Sequence, residues 1–217
     1  MGLFVTFEGI EGAGKTTQLD RVEAFLKEMR LEVFRTREPG GTSVGESVRS
    51  ILLSVESGCM DPMTELLLIQ ACRAELIRRH LRPRLEAGVV VLCDRFTDAT
   101  LAYQGYGRGI DLGLIDQLNE IATGGIRPDL TILLDCPVEV GFERIRNRRP
   151  LRGPDRLEAE GKAFHERVRE GYLELTRRSR GRIRVVDSTE DAEKVGAKII
   201  AYLRDALGTS APTEDSR

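Results

Sequence analysis

Apolar and polar positions change period several times along the chain. Leu3-Phe4-Val5-Thr6-Phe7 is a short apolar run closed by Glu8, after which Leu19, Val22, Leu26 and Met29 recur at helical spacing. The first pattern predicts a strand, the second an amphipathic helix laid on it. Val33-Phe34-Arg35-Thr36 predicts a second strand. From Asp61-Pro62 a helical stripe runs through Leu66, Ile69, Arg73, Leu76, Ile77 and His80, and Pro83 is expected to stop it because proline brings no N–H and crowds the preceding turn. Three more β-rich runs follow: Val89-Val90-Val91-Leu92-Cys93, Leu130-Thr131-Ile132-Leu133-Leu134 and Ile183-Arg184-Val185-Val186. Strands this continuously apolar belong to a parallel sheet covered by helices on both faces, so the fold class is α/β. Glu8, Asp94, Asp135 and Asp187 stand at the ends of four of the runs, and ligands of parallel sheets bind outside those carboxyl ends.

The turn after the first strand carries the strongest chemical signal. Residues 9 to 16 read Gly-Ile-Glu-Gly-Ala-Gly-Lys-Thr, a complete G-x-x-x-x-G-K-S/T phosphate loop between strand and helix. Its glycines let backbone N–H groups turn toward a polyphosphate, and the following helix aims its positive end at the same anion. Gly9, Ile10, Glu11, Gly12, Ala13, Gly14, Lys15, Thr16 and Thr17 are the expected ATP-binding residues, with Lys15 on the β/γ-phosphates and the Thr16 hydroxyl on Mg²⁺.

Composition narrows the class. A chain of 217 residues fits one α/β domain, expected over residues 1–207, with a polar tail at 208–217 expected to be disordered. The 33 basic and 35 acidic residues nearly cancel, which gives no argument for nucleic acid or membrane as partners. Cys59, Cys72, Cys93 and Cys136 are widely spaced and read as reduced thiols, and no apolar run approaches the ~18 residues of a membrane span. A cytoplasmic location is expected.

A phosphate loop alone admits a GTPase, a transport or partitioning ATPase, or a small-molecule kinase. No Asn-Lys-x-Asp sequence is present to read guanine, and no strand ends in Asp-Glu. Asp94-Arg95-Phe96 closes the third long run; Asp94 is placed to hold a Mg²⁺-bound water and Arg95 to meet a second phosphate group.

Taken together, Phe7-Glu8-Gly9-Ile10-Glu11-Gly12-Ala13-Gly14-Lys15-Thr16-Thr17, Thr36-Arg37-Glu38-Pro39-Gly40-Gly41, Asp94-Arg95-Phe96 and Ala102-Tyr103-Gln104-Gly105 resemble bacterial thymidylate kinases, in order and spacing, over about residues 3 to 205. The resemblance implies transfer of the ATP γ-phosphate to dTMP, a three-layer P-loop NTPase sandwich on a five-stranded parallel sheet, an Arg-rich lid near 144–160, and a homodimer. It places Arg95 on the acceptor phosphate with Arg49 nearby, Glu11 by the sugar 3′-hydroxyl, Tyr103 under the deoxyribose, Thr100 and Gln104 at the base edge, and Arg73 at the thymine O4. Glu38 and Pro39 shape the acceptor side. Where most members stack a phenylalanine on thymine this chain has Ile69; either the base pocket is weaker or Phe96 compensates.

Arg144, Arg146, Arg148, Arg149, Arg152 and Arg156 form a basic cluster facing one acid, Asp155. Gly12 stands where one subclass of the family carries a basic loop residue, so the chain resembles the subclass whose lid supplies the charge, with Arg148, Arg149 and Arg152 as candidate catalytic groups. His80 and His165 sit in helical surroundings without a matching acid or serine to form a catalytic pair and read as structural. Two rivals stay open: a kinase of another nucleoside monophosphate, and a nucleotide-switched binding protein.

Overall fold

The computed structural model describes residues 1–57, 60–148, 153 and 155–208. Five strands, β1 (Phe4–Glu8), β2 (Val33–Arg37), β3 (Val90–Asp94), β4 (Leu130–Asp135) and β5 (Ile183–Asp187), form one parallel sheet in the order β2-β3-β1-β4-β5. The central strands β1, β3 and β4 are buried almost throughout, whereas the edge strands β2 and β5 are partly open. Alternate residues of β3 point to opposite faces: Val90 and Leu92 join the larger core, Val91 and Cys93 the smaller.

On the larger core lie α1 (Lys15–Glu28), through Leu19, Val22 and Leu26, α9 (Ala192–Ala206), through Val195, Ile199 and Leu203, and α8 (Lys162–Arg178), through Phe164, Val168, Tyr172 and Leu175. Met29, expected on the α1 stripe, is instead its exposed C-terminal cap. The smaller core joins Phe4 and Phe96 to Leu76, Ile77, Leu81 and Leu85. The remaining helices are α2 (Ser43–Leu53), α3 (Pro62–Leu76), α4 (Arg82–Glu86), α5 (Thr97–Thr100), α6 (Leu112–Thr123) and α7 (Val138–Arg148).

Pro83 does not stop the third helix. The chain stays helical from α3 through a π turn at Ile77–Leu81 into α4, where Pro83 occupies the first turn and owes no N–H. The Arg82 N–H reaches back to the Ile77 carbonyl in the widened register, which accommodates the proline ring. The helix ends at Gly88, whose φ of 85° is the left-handed C-terminal signal. A second π turn, Leu101–Gly107, extends α5 and carries Tyr103 and Gln104. Of the tail expected to be disordered, 208–217, only Gly208 is described and residues 209–217 lie outside the described residues, as does Cys59; Cys72, Cys93 and Cys136 are free and buried. No helix among the described residues is long and apolar enough to cross a membrane.

Candidate active site

α1 opens without a side-chain cap and without an acid in its first turn, so its N–H groups face the loop unneutralised. Gly14 leads into it at φ 91°, and Lys15 folds over the loop to donate to the Gly9 and Ile10 carbonyls at 3.0 Å each. Burial, then the nearby Arg95 charge, lowers the Lys15 ammonium below its ordinary pKa, while Asp94, Glu11 and Glu8 oppose this. An ammonium held only by neutral carbonyls is ready to exchange them for phosphate oxygens.

A cavity of about 710 Å³ runs from this loop across the end of the sheet. Glu11 to Gln18 line one part, Glu38, Pro39, Arg49, Ile69, Thr100 and Gln104 another, and Asp94, Arg95 and Tyr103 lie between. Gly9 and Ile10 stand behind the lining and act through their carbonyls on Lys15. Of the carboxylates expected to mark the working edge of the sheet, Asp94 alone lines the cavity. Asp135 is held in a fork by Arg169 at 2.7 and 2.8 Å, Asp187 closes a turn onto Thr189, and Glu8 is buried.

Arg95 is the junction of the site. Its backbone is left-handed at φ 71°, a rare conformation for a non-glycine residue, and is held by an Arg95 N–H bond to Phe7 and by the Phe96 N–H donating to Glu8 at 2.7 Å. The guanidinium donates to Glu11 at 2.8 Å and to the Tyr172 hydroxyl at 3.2 Å, and lies 4.8 Å from the centre of the Tyr103 ring. The Tyr103 hydroxyl donates to both Glu11 oxygens at 2.8 and 2.7 Å. Burial alone would raise the Glu11 carboxyl, but Arg95, followed by His165, Lys15 and Tyr103, holds it well below the usual range, so it is an acceptor at any working pH.

Two residues of α8 take part that sequence reading did not assign. His165, read as lacking an acid, is fully buried with Nδ1 3.3 Å from Glu11 and its ring edge-on to Phe142 and Phe164. Tyr172 bridges Arg95 and Glu8, donating to Glu8 at 2.7 Å. Both fall on the buried stripe with Phe164, Val168 and Leu175, and a histidine and a tyrosine recurring on an apolar helical face were the available signal.

Arg49 lines the cavity and donates to the Pro39 carbonyl at 2.8 Å; burial, then Arg37, pushes its pKa down, with Glu46 and Asp94 opposing. The Glu38–Pro39 peptide is cis, and Arg37, Glu38 and Pro39 all face the cavity. Arg73 is 1% exposed and lies behind the lining. It donates to Glu38, Gln70, Asn119, the Phe96 carbonyl and Thr100 at 2.6 to 3.3 Å, so it serves the base side of the cavity through Thr100 and Glu38. Ile69 lines that side. Phe96 lines it too, but its ring is already committed edge-on to Phe4 at 4.9 Å, with Arg73 5.2 Å from its centre.

The basic cluster divides. Arg144 donates to the Ser188 carbonyl at 2.8 Å and to the Gly12 carbonyl at 3.5 Å, tying α7 to the loop after β5 and to the phosphate loop. Arg156 is buried and donates to the Leu52 carbonyl and to Glu65, which removes it from the candidates for charge over the cavity. Arg149 and Arg152 lie outside the described residues, and Arg148 is described only as the backbone end of α7. Gly12 at φ 75° lies so close to α7 that a Cβ would stand 2.2 Å from the Gly141 carbonyl oxygen, which excludes a basic side chain there.

A phosphate loop with its lysine, a second cationic site beside it and one cavity spanning both define a P-loop phosphotransferase acting on a small phosphorylated acceptor. The thymidylate kinase family model matches residues 7–199, and the chain belongs to that family. A thymidylate kinase of Geobacter sulfurreducens is 50% identical over 206 residues, 94% of this chain and 97% of the relative. One of Geotalea daltonii is 48% identical over 200 residues, 89% of this chain and 92% of the relative. The crystal structure of thymidylate kinase from Ehrlichia chaffeensis superposes with a TM-score of 0.75 at 36% identity, covering 94% of this chain and 98% of that one.

Proposed function

We propose that the cavity aligns ATP and dTMP end to end, the triphosphate on residues 9–17 and the acceptor phosphate on Arg95, and transfers the γ-phosphoryl group to give dTDP and ADP. The reaction is that of the family, a step toward dTTP. The observation that carries the residue assignment is that Lys15 and Arg95 line one continuous cavity with Glu11 between them.

A dTMP phosphate oxygen is anionic at neutral pH, so no protein base has to create the nucleophile. Alignment and charge neutralisation remain. Lys15 meets the β/γ-phosphates of the donor. The Arg95 fork meets the acceptor, held in place by Glu11, Tyr172 and its clamped backbone, so little reorganisation is needed when charge spreads in the transition state. Arg49 adds positive potential on the acceptor side, and Tyr103, fixed by Glu11, offers its ring to the deoxyribose. Arg148, Arg149 and Arg152 are assigned by sequence to the charge brought over the reacting phosphates.

Mg²⁺ fits the residues present. The Thr16 hydroxyl is exposed at the loop, and the buried Asp94 Oδ1 has no hydrogen-bond partner among the described residues, as suits an outer-shell acceptor for metal-bound water. Among the described residues no trio of His, Cys, Asp or Glu is arranged to hold a metal, in keeping with an ion whose other ligands are water and phosphate. When bound it neutralises phosphate charge.

A cytoplasmic location and a homodimer accompany this reading. Met63 and Leu67, one turn apart on α3, are exposed apolar side chains of the kind a second copy would cover. Sedimentation tests the dimer, with a monomer at micromolar concentration as the contrary result. For the activity, ADP release is measured with dTMP, dUMP, dCMP, dAMP and UMP as acceptors. A marked preference for dTMP is expected, and ADP release independent of any acceptor would refute the reading.

A further inference from the structure

Glu65, on α3, has no part in the chemistry described above, yet it is fully buried and accepts four hydrogen bonds from three side chains. Gln104 Nε2 donates to its Oε1 at 2.7 Å, Arg108 donates to both oxygens at 3.3 and 3.2 Å, and Arg156 donates to Oε2 at 2.5 Å. Burial by itself would raise the carboxyl, but the bonds from Arg108, Gln104 and Arg156 hold it below the ordinary value, so it is ionised. An ionised carboxylate has no hydrogen to give. The Gln104 atom facing it must therefore be the amide nitrogen, and the end left for a ligand is the carbonyl oxygen, an acceptor.

We infer that Glu65 is a positioning residue that sets base selectivity by fixing the amide of Gln104 with its oxygen available to the base. The inference rests on the placing of Gln104 at the base edge of the acceptor site. Thymine and uracil carry N3–H, a donor that such an oxygen receives; cytosine carries a bare N3, and the two acceptors would oppose each other. An amide free to turn over could offer N–H to cytosine instead. Thr100 works in the same sense. Arg73 Nη2 donates to its Oγ1 at 2.8 Å, which leaves the Thr100 hydroxyl hydrogen for an acceptor such as O4, where cytosine has a donor. Arg108 and Arg156 keep the carboxylate charged; Arg108 is itself held by Glu160, and Arg156 by the Leu52 carbonyl.

The test compares kcat/KM for dTMP, dUMP and dCMP in the wild type, Glu65→Gln, Gln104→Ala and the double variant, with thermal melting alongside. Glu65→Asp is a second probe, because it keeps a charge for the arginines while withdrawing the carboxylate from Gln104. Loss of the lock is expected to reduce the dTMP-to-dCMP ratio by about ten- to a hundredfold while dTMP and dUMP keep their relative order, and to have no further effect on that ratio once Gln104 is alanine. A Glu65 variant that lowers turnover of all acceptors equally, or only the melting temperature, overturns the inference while leaving Gln104 as a base contact if Gln104→Ala changes the ratio. Should Gln104→Ala leave the ratio unchanged, the base-contact reading fails and the inference falls with it.

Discussion

The guanidinium of Arg95 and the carboxylate of Glu11 are paired at 2.8 Å, joining the turn after β3 to the phosphate loop in the wall of the cavity. Glu11 fixes the direction of the fork, and Arg95 keeps Glu11 ionised. Arg95→Ala is expected to lower kcat/KM for dTMP by roughly a hundred- to a thousandfold, as for other groups that meet transition-state charge. ATP affinity, measured by calorimetry, should stay within a few-fold because Lys15 and its bonds to the Gly9 and Ile10 carbonyls remain, although Glu11 loses its guanidinium partner. Arg95→Lys should recover only part of the loss, since an ammonium lacks the two-pronged geometry. Turnover retained in the alanine variant would remove Arg95 from the acceptor site.

What was legible from sequence is what is local. The phosphate loop, Asp94-Arg95 and Tyr103-Gln104 lie within short segments whose residue types announce their chemistry, and the apolar runs give the five strands directly. The pairings between distant segments were not legible. Glu38 and Arg73 are 35 positions apart and Glu8 and Tyr172 are 164 apart, so nothing along the chain reveals that each satisfies the other. For the same reason Arg156 reads like any other member of the basic cluster until Glu65 and the Leu52 carbonyl are seen to enclose it. Pro83 misled because a π turn is a feature of register that propensity does not encode.

Ile69 lines the base side of the cavity, and the aromatic ring considered as a substitute, Phe96, is held by Phe4 and Arg73. An isoleucine supplies apolar area without ring stacking. Ile69→Phe is therefore expected to lower KM for dTMP by about two- to tenfold, from the ~0.5–1.5 kcal/mol that aromatic pairing adds, with kcat little changed. A KM that rises would show that the cavity has no room for the ring.

The phosphate loop and α7 are fitted through two glycines. A Cβ on Gly12 would meet the Gly141 oxygen at 2.2 Å, and one on Gly141 would meet the Glu11 oxygen at 2.5 Å. Gly12→Ala also forces a side chain into φ 75°. The variant is expected to lose about 1–3 kcal/mol of stability and to raise KM for ATP, because the loop must move to relieve the contact. Denaturant unfolding and initial-rate kinetics check both; an alanine variant with wild-type stability would mean that the loop relaxes freely.

Glu8 gives the site a pH dependence whose sign can be worked out. Burial, then the neighbouring Asp98, pushes its carboxyl from 4.5 up to about 8, against the opposing effects of Arg95, Tyr172 and the Phe96 N–H. Between those values the folded chain holds a proton that the unfolded chain has released. Folding stability from this group is complete below pH ~4.5 and declines as pH rises toward ~8, at no more than about 1.4 kcal/mol per pH unit. Glu8→Gln keeps an acceptor for the Phe96 N–H and a polar partner for Tyr172 but cannot ionise. Melting temperatures of wild type and variant, followed from pH 5 to pH 9, are expected to converge at the acid end, with the wild type falling below the variant as the pH increases. Parallel curves would place the Glu8 carboxyl near its ordinary pKa, and a steeper decline in the variant would reverse the sign of the argument.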